Sequence, residues 1–130
     1  YWGAIGLTAK KTISNKAKRI LKTKLKDSSH AARIEIANAL AVHNELNEAL
    51  HSLTAAVNHE NLIVVTHAAR TIELLGKKAA FAKPAMKKAL ARAIKIRPPE
   101  TPATVVLPGD KDLAMFVAFS CRAFLAIFEN

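Results

Sequence analysis

Two stretches decide the fold, Leu21–Leu40 (LKTKLKDSSHAARIEIANAL) and Leu53–Ile72 (LTAAVNHENLIVVTHAARTI), because they are one pattern written twice, 32 residues apart. Leu21 matches Leu53, Leu25 matches Val57, Ser29 matches Asn61, Ala37 matches Ala69 and Leu40 matches Ile72. Large apolar, small apolar and cap residues recur in register, which shared helicity alone does not produce. Within each copy the apolar residues follow helical spacing. Ile13, Ala17, Ile20, Leu21 and Leu25 form one stripe, and Asp27-Ser28-Ser29 then interrupts it. Such side-chain oxygens accept from the orphan N–H groups of a following helix. That second helix carries Ala32, Ile36, Ala39 and Leu40 and ends near His43-Asn44. In the second copy Asn47–Val57 is a helix, 58–61 is a cap segment, and Leu62–Leu75 is a helix stopped by Gly76.

The pattern continues outward on both sides. Tyr1, Ala4 and Leu7 match Ile34, Ala37 and Leu40 at an offset of 33, so 1–7 reads as the end of an earlier repeat. After Gly76 a stripe of Ala82, Ala85, Met86, Ala89, Leu90, Ala93 and Ile94 predicts another first helix. Pro84 fits only in its first turn, where the missing N–H is harmless. Residues 98–112 hold Pro98, Pro99, Pro102 and Pro108 and predict an extended loop. A last helix over about 112–128 holds four of the five Phe and is apolar all round. The expected architecture is all-α, a short α-solenoid of antiparallel helix pairs in one domain. Its expected parts are 1–7, 10–44, 46–76 and 78–128, the last split by loop 98–112. The start at Tyr1-Trp2 reads as that of a fragment of a longer protein.

Composition excludes several classes. The chain has 130 residues, one domain's worth, and 51% of them are hydrophobic, too many for a disordered basic tail. A single cysteine, Cys121, excludes an internal disulfide framework and any Cys-based zinc site. No run of 18 apolar residues exists to span a membrane. The net charge of +10 is confined: residues 1–26 and 77–97 carry eight basic residues each and no acid, and the remainder is net acidic.

The motifs YWGAIGL, LKDSSHAARIEIANALA, LTAAVNHENLIVVTHAARTIELLGKKA and KPAMKKAL resemble HEAT-like repeats. In combination, over about residues 1–95, they resemble the helical-repeat region that follows the catalytic domain in bacterial sulfatases of the arylsulfatase and iduronate-sulfatase type. His30 stands where proline is frequent in such turns, and Val65 stands where the first copy has Arg33. Loop 98–112 and the Phe-rich end lie outside the resemblance. It implies a parent enzyme with a Cys/Ser-x-Pro-x-Arg nucleophile motif and calcium ligands elsewhere, and a periplasmic or secreted location. Cys121 is followed by Arg122-Ala123, without the proline that motif needs, so no catalytic residue carries over. The expectation is a non-catalytic chain that needs no cofactor and scaffolds or binds. The expected partners are its own catalytic domain, another protein, or a sulfated polysaccharide.

Three sets of residues are candidates. The first is a polyanion surface on the first helices: Lys16, Lys18, Arg19, Lys22, Lys26, Lys83, Lys87, Lys88 and Arg92. Lysine neutralises sulfate or phosphate without reading sequence. The plain alternative is a solvated face, favoured by the excess of Lys over Arg. Against it stands the lack of interleaved acids, since solvated helices commonly use Glu–Lys pairs four apart. The second set is a mixed-charge concave face on the second helices, with Arg33, Glu35, His67, Arg70 and Glu73. The third is the Phe-rich helix, which either closes the core or docks on another surface. Nucleic acid is the rival ligand, but the basic stretches lack interleaved aromatic residues for base stacking. A HEAT-like bilin lyase is the enzymatic rival, and no acid/base or Cys/His constellation supports it. His30, His43, His51, His59 and His67 show no metal-ligand spacing and read as surface or cap residues.

Overall fold

A computed structural model describes residues 1–129, and every regular element among them is helical. The order is α1 (Trp2–Thr8), α2 (Asn15–Lys24), α3 (His30–Val42), α4 (Leu46–Val57), α5 (Leu62–Leu75), a 3₁₀ segment (Gly76–Ala82), α6 (Lys83–Ile96) and α7 (Leu113–Ala126).

The caps fall where the side-chain chemistry asks for them. Ser14, Ser29 and Asn61 accept from the backbone N–H groups of Ala17, Ala32 and Ile63 at the starts of α2, α3 and α5. Asn44, just beyond α3, takes φ of 66°, a left-handed conformation asparagine tolerates better than most residues. Gly76 ends α5 with φ of 56°, where a side chain would strain the backbone. Pro84 stands in the first turn of α6. The chain does not restart a loop after Gly76: a 3₁₀ segment carries it directly into α6, burying Ala79 and Ala82.

The core is built from the repeated positions. Leu40, Leu53, Val57, Ala37, Ala69 and Ile72 are fully buried, and Leu21 nearly so. Ala37 and Ala69 are the small residues, which let helices approach closely. α3 packs on α1, α2, α4 and α5, while α5 packs on α4 and α7, and α6 on α4 and α7. Met86, Val117, Cys121 and Phe124 fill the space between α6 and α7. His43, read from sequence as a surface or cap residue, is buried and donates from Nε2 to the Leu7 carbonyl at 2.8 Å, tying α1 to the end of α3.

The long segment between α6 and α7 is clamped at its root. Arg97 is buried and donates to the Asp112 carboxylate and to the Pro102 carbonyl, 2.8 Å away. Asp112 also accepts from the Leu107 N–H at 3.1 Å. By sequence Arg97 closes the basic stretch 77–97. It serves instead as an internal brace. No helix of the described residues is long and apolar enough to cross a membrane.

Candidate functional site

The nine basic candidates divide on inspection of their neighbours. Lys18 donates to Glu45 at 3.1 Å and to the His43 carbonyl at 3.2 Å. Lys22 bridges Glu45 at 2.7 Å and Glu48 at 3.1 Å. The acids absent from the first basic stretch are thus supplied across space by α4, and these two lysines leave the free cation set. Hydrogen bonds that Lys22 donates to Glu45 and then to Glu48 raise its pKa above the ordinary value. The bond from Lys22, seconded by Lys18, holds Glu45 below the usual carboxylate range. Glu48 is lowered first by a backbone hydrogen bond and then by Lys22. Lys16 and Arg19 remain exposed on α2, and Lys26 is exposed in the turn that follows it.

On α6, Lys83 lies over the Phe128 ring at 4.7 Å, a cation–π contact that fixes the end of the chain rather than facing a ligand. Lys87 and Lys88 are exposed. Arg92 is half-buried and donates from Nη1 to the His59 carbonyl at 2.7 Å. A cleft of about 360 Å³ lies between the end of α4 and α6, lined by Val57, Asn58, Lys88, Ala89, Arg92 and Lys95. Lys95 was not among the sequence candidates. Its signal was its place on the Lys88–Arg92 helix face, seven residues after Lys88.

The second-helix candidates divide as well. His67 on α5 donates from Nε2 to Glu35 on α3 at 2.8 Å. Arg70 pairs with Glu73 at 2.6 Å within α5. Beside that pair Phe116 and Phe119 stand on α7, 50% and 59% exposed, and together they frame a cleft of about 400 Å³. Arg33 is placed elsewhere. Its guanidinium donates to the Asp27 carbonyl at 2.8 Å and to His30 Nδ1 at 2.5 Å, and it lines a separate cleft with Glu48, Ser52 and His59. Arg33 and Arg70 thus line different clefts, and His67 lines neither of them. Its bond to the Asp27 carbonyl holds the Arg33 side chain in the cleft beside α4.

In that separate cleft His30 and His59 meet edge-on, with ring centroids 4.4 Å apart. His59 Nδ1 accepts from the Asn61 N–H at 3.0 Å. Burial, followed by the nearby Arg33 and His59, lowers the His30 pKa below its ordinary 6.5.

Cys121 is fully buried, its Sγ 4.0 Å from Met86 Sδ, and burial pushes its thiol up to about 12. The thiolate is the reactive form, so the group is chemically quiet at neutral pH. Among the described residues no three His, Cys, Asp or Glu side chains gather as a metal site. Compared with protein-family models, with curated proteins and with solved structures, the chain finds no match.

Proposed function

We propose that this chain is a non-catalytic helical-repeat scaffold, a short solenoid of HEAT-like antiparallel helix pairs of the kind that follows the catalytic domain of bacterial sulfatases. The order of packing supports the solenoid. α3 lies between α1 and α5, and α5 between α3 and α7, so the second helices touch in series. α4 and α6 touch on the other side of the chain's path. Each pair then buries its stripe against the next, as stacked repeats do.

The scaffold holds a protein surface, its own catalytic domain or another polypeptide, against the α5–α7 face. The observation that carries this reading is the exposure of Phe116 and Phe119 beside the Arg70–Glu73 pair. Two large aromatic rings at the edge of a cleft, rimmed by charge, are the composition of a protein contact centre rather than of a solvated helix. Sulfated polysaccharide as a ligand of α2 loses support, because Lys18 and Lys22 already hold Glu45 and Glu48.

A photo-crosslinking residue at position 119 tests the reading in the cells that make the protein. A discrete protein adduct from position 119, absent when the same residue replaces the exposed Val106, is the expected result. No protein adduct from position 119, or the same adducts from both positions, would overturn it.

A further inference from the structure

The cleft between α4 and α6 has a cation arrangement that the protein-contact reading leaves unused. Lys88, Arg92 and Lys95 follow one another on one face of α6 at helical spacings of four and three. Segment 77–97 contains no acid, and neither Lys88 nor Lys95 makes an ion pair among the described residues. Arg92 is the fixed member. Its Nη1 is held by the His59 carbonyl, while its Nη2 is buried with no acceptor among the described residues. A guanidinium anchored on one arm and unsatisfied on the other is preorganised for an oxyanion, because its geometry is set before the ligand arrives.

The wall opposite α6 is the last turn of α4. α4 ends here, and a helix C-terminus alone repels anions. Asn58 softens this by donating from Nδ2 to the Thr54 carbonyl at 2.9 Å, and its backbone N–H donates into the same last turn. No aromatic ring lines the cleft, so it offers nothing for a base to stack on. At about 360 Å³ it lies toward the small end of the range of ligand-binding cavities, with room for an ester group and part of the molecule that carries it.

We propose that the α4–α6 cleft binds a single tetrahedral oxyanion, a sulfate or phosphate ester group, between Lys88, Arg92 and Lys95. The site is a discrete one on α6, and α2 is not part of it. The ligand's charge satisfies Arg92 Nη2 and the two lysines together, so binding is saturable and depends on this residue set rather than on net charge.

The test is an NMR titration of the isotopically labelled full chain with sodium sulfate, and in a second arm with inorganic phosphate, both at constant ionic strength. Saturable shifts are expected at the amides of Val57, Asn58 and residues 88–95, and the tighter arm identifies the ester class. The K88Q/K95Q double variant should weaken binding about tenfold, the scale of losing charge-assisted hydrogen bonds. K10Q/K11Q removes the same charge from exposed lysines outside the cleft and should leave affinity within about twofold. Shifts that never saturate, or equal losses in the two double variants, would overturn the proposal. So would a K88Q/K95Q variant that is less stable yet binds both ions unchanged, which would make the cations helix-end partners of α4 and nothing more. R92K keeps the charge but loses the fork. It should also weaken binding, and the lysine pair keeps the test decisive if R92K does not fold.

Discussion

Glu35 on α3 accepts a hydrogen bond from His67 on α5 at 2.8 Å, and the two residues occupy the same position in consecutive 32-residue repeats. A repeat offset in sequence has become a contact in space. Glu35 is the more buried partner, with 15% of its side chain exposed against 31% for His67. The bond therefore fixes how one second helix lies against the next. In a double-mutant cycle, E35A and H67A should show a coupling of about 0.5–1 kcal/mol in urea unfolding, the range for a partly exposed polar pair. Strict additivity would mean that the register of α3 on α5 is set by the apolar residues alone.

The same register explains what could be read without coordinates. Ala37 with Ala69 and Leu40 with Ile72 were matched by sequence alone, and all four are fully buried. Leu53 and Val57 are buried too, as is Leu21, the match of Leu53, while Leu25, the match of Val57, is only half so, because α2 ends at Lys24 and Leu25 lies at its cap. Periodicity and cap chemistry are local, so they survive in one dimension. The state of each charge is not local. The sequence shows no acid near Lys18 and Lys22, yet Glu45 and Glu48 reach them from the next helix pair. Likewise Arg97 belongs by sequence to a basic run, and only the return of the chain at Asp112 makes it a brace. The setting of the second-helix candidates was visible for His67 only as the 32-residue offset that puts it at the position of Glu35. It was not legible for Arg33, whose side chain answers to the Asp27 carbonyl rather than to helix periodicity.

The Lys22 bridge should give the protein an acid-sensitive edge. Glu45 and Glu48 have lowered folded pKa values. Their contribution is full above the ordinary carboxylate value of 4.5 and is lost as pH falls through the lowered values. Lys22 is raised, so its share is full below the ordinary 10.5 and is lost only as pH rises through its higher folded value. Lys22→Met removes the bridge. The wild-type chain should lose Tm more steeply than this variant as pH is lowered from about 5 to 3. Parallel profiles would show that the pair is screened out in solution and that α2 is held by Leu21 and its apolar neighbours.

Asp112 meets Arg97 at the root of the segment 98–112, and the Arg97 side chain is only 4% exposed there. Removing the carboxylate leaves a buried guanidinium with the Pro102 carbonyl as its remaining acceptor, and also leaves the Leu107 N–H without Asp112. Asp112→Ala should cost about 2 kcal/mol, reduced from the fully buried case because Asp112 is 35% exposed. The loss should be felt first in the loop. Limited proteolysis should cut within 98–112 faster in the variant, with α1–α5 still protected against amide exchange. Unchanged cleavage would mean that the prolines hold the segment without the clamp.

Cys121 offers a probe of the α6–α7 seam. Its thiol is raised to about 12 by burial, with the carboxylate of Glu73 adding to the shift, and its Sγ lies 4.0 Å from the Met86 sulfur. At pH 7.5 the thiolate fraction is negligible and the sulfur is sealed between helices, so a water-soluble disulfide reagent should react only through opening of α7. Reaction should be slow in the native chain and fast in denaturant. Phe124 is also fully buried in this seam, and its ring packs edge-on against Phe128 at 5.2 Å. Phe124→Ala should therefore destabilise the chain by about 3–5 kcal/mol and speed Cys121 labelling in proportion. The double substitution F116S/F119S should leave labelling unchanged, because those rings are exposed and hold nothing in the seam. Equal acceleration by both variants would place the exposed rings inside the packing of α7, and the face they present would then be structural.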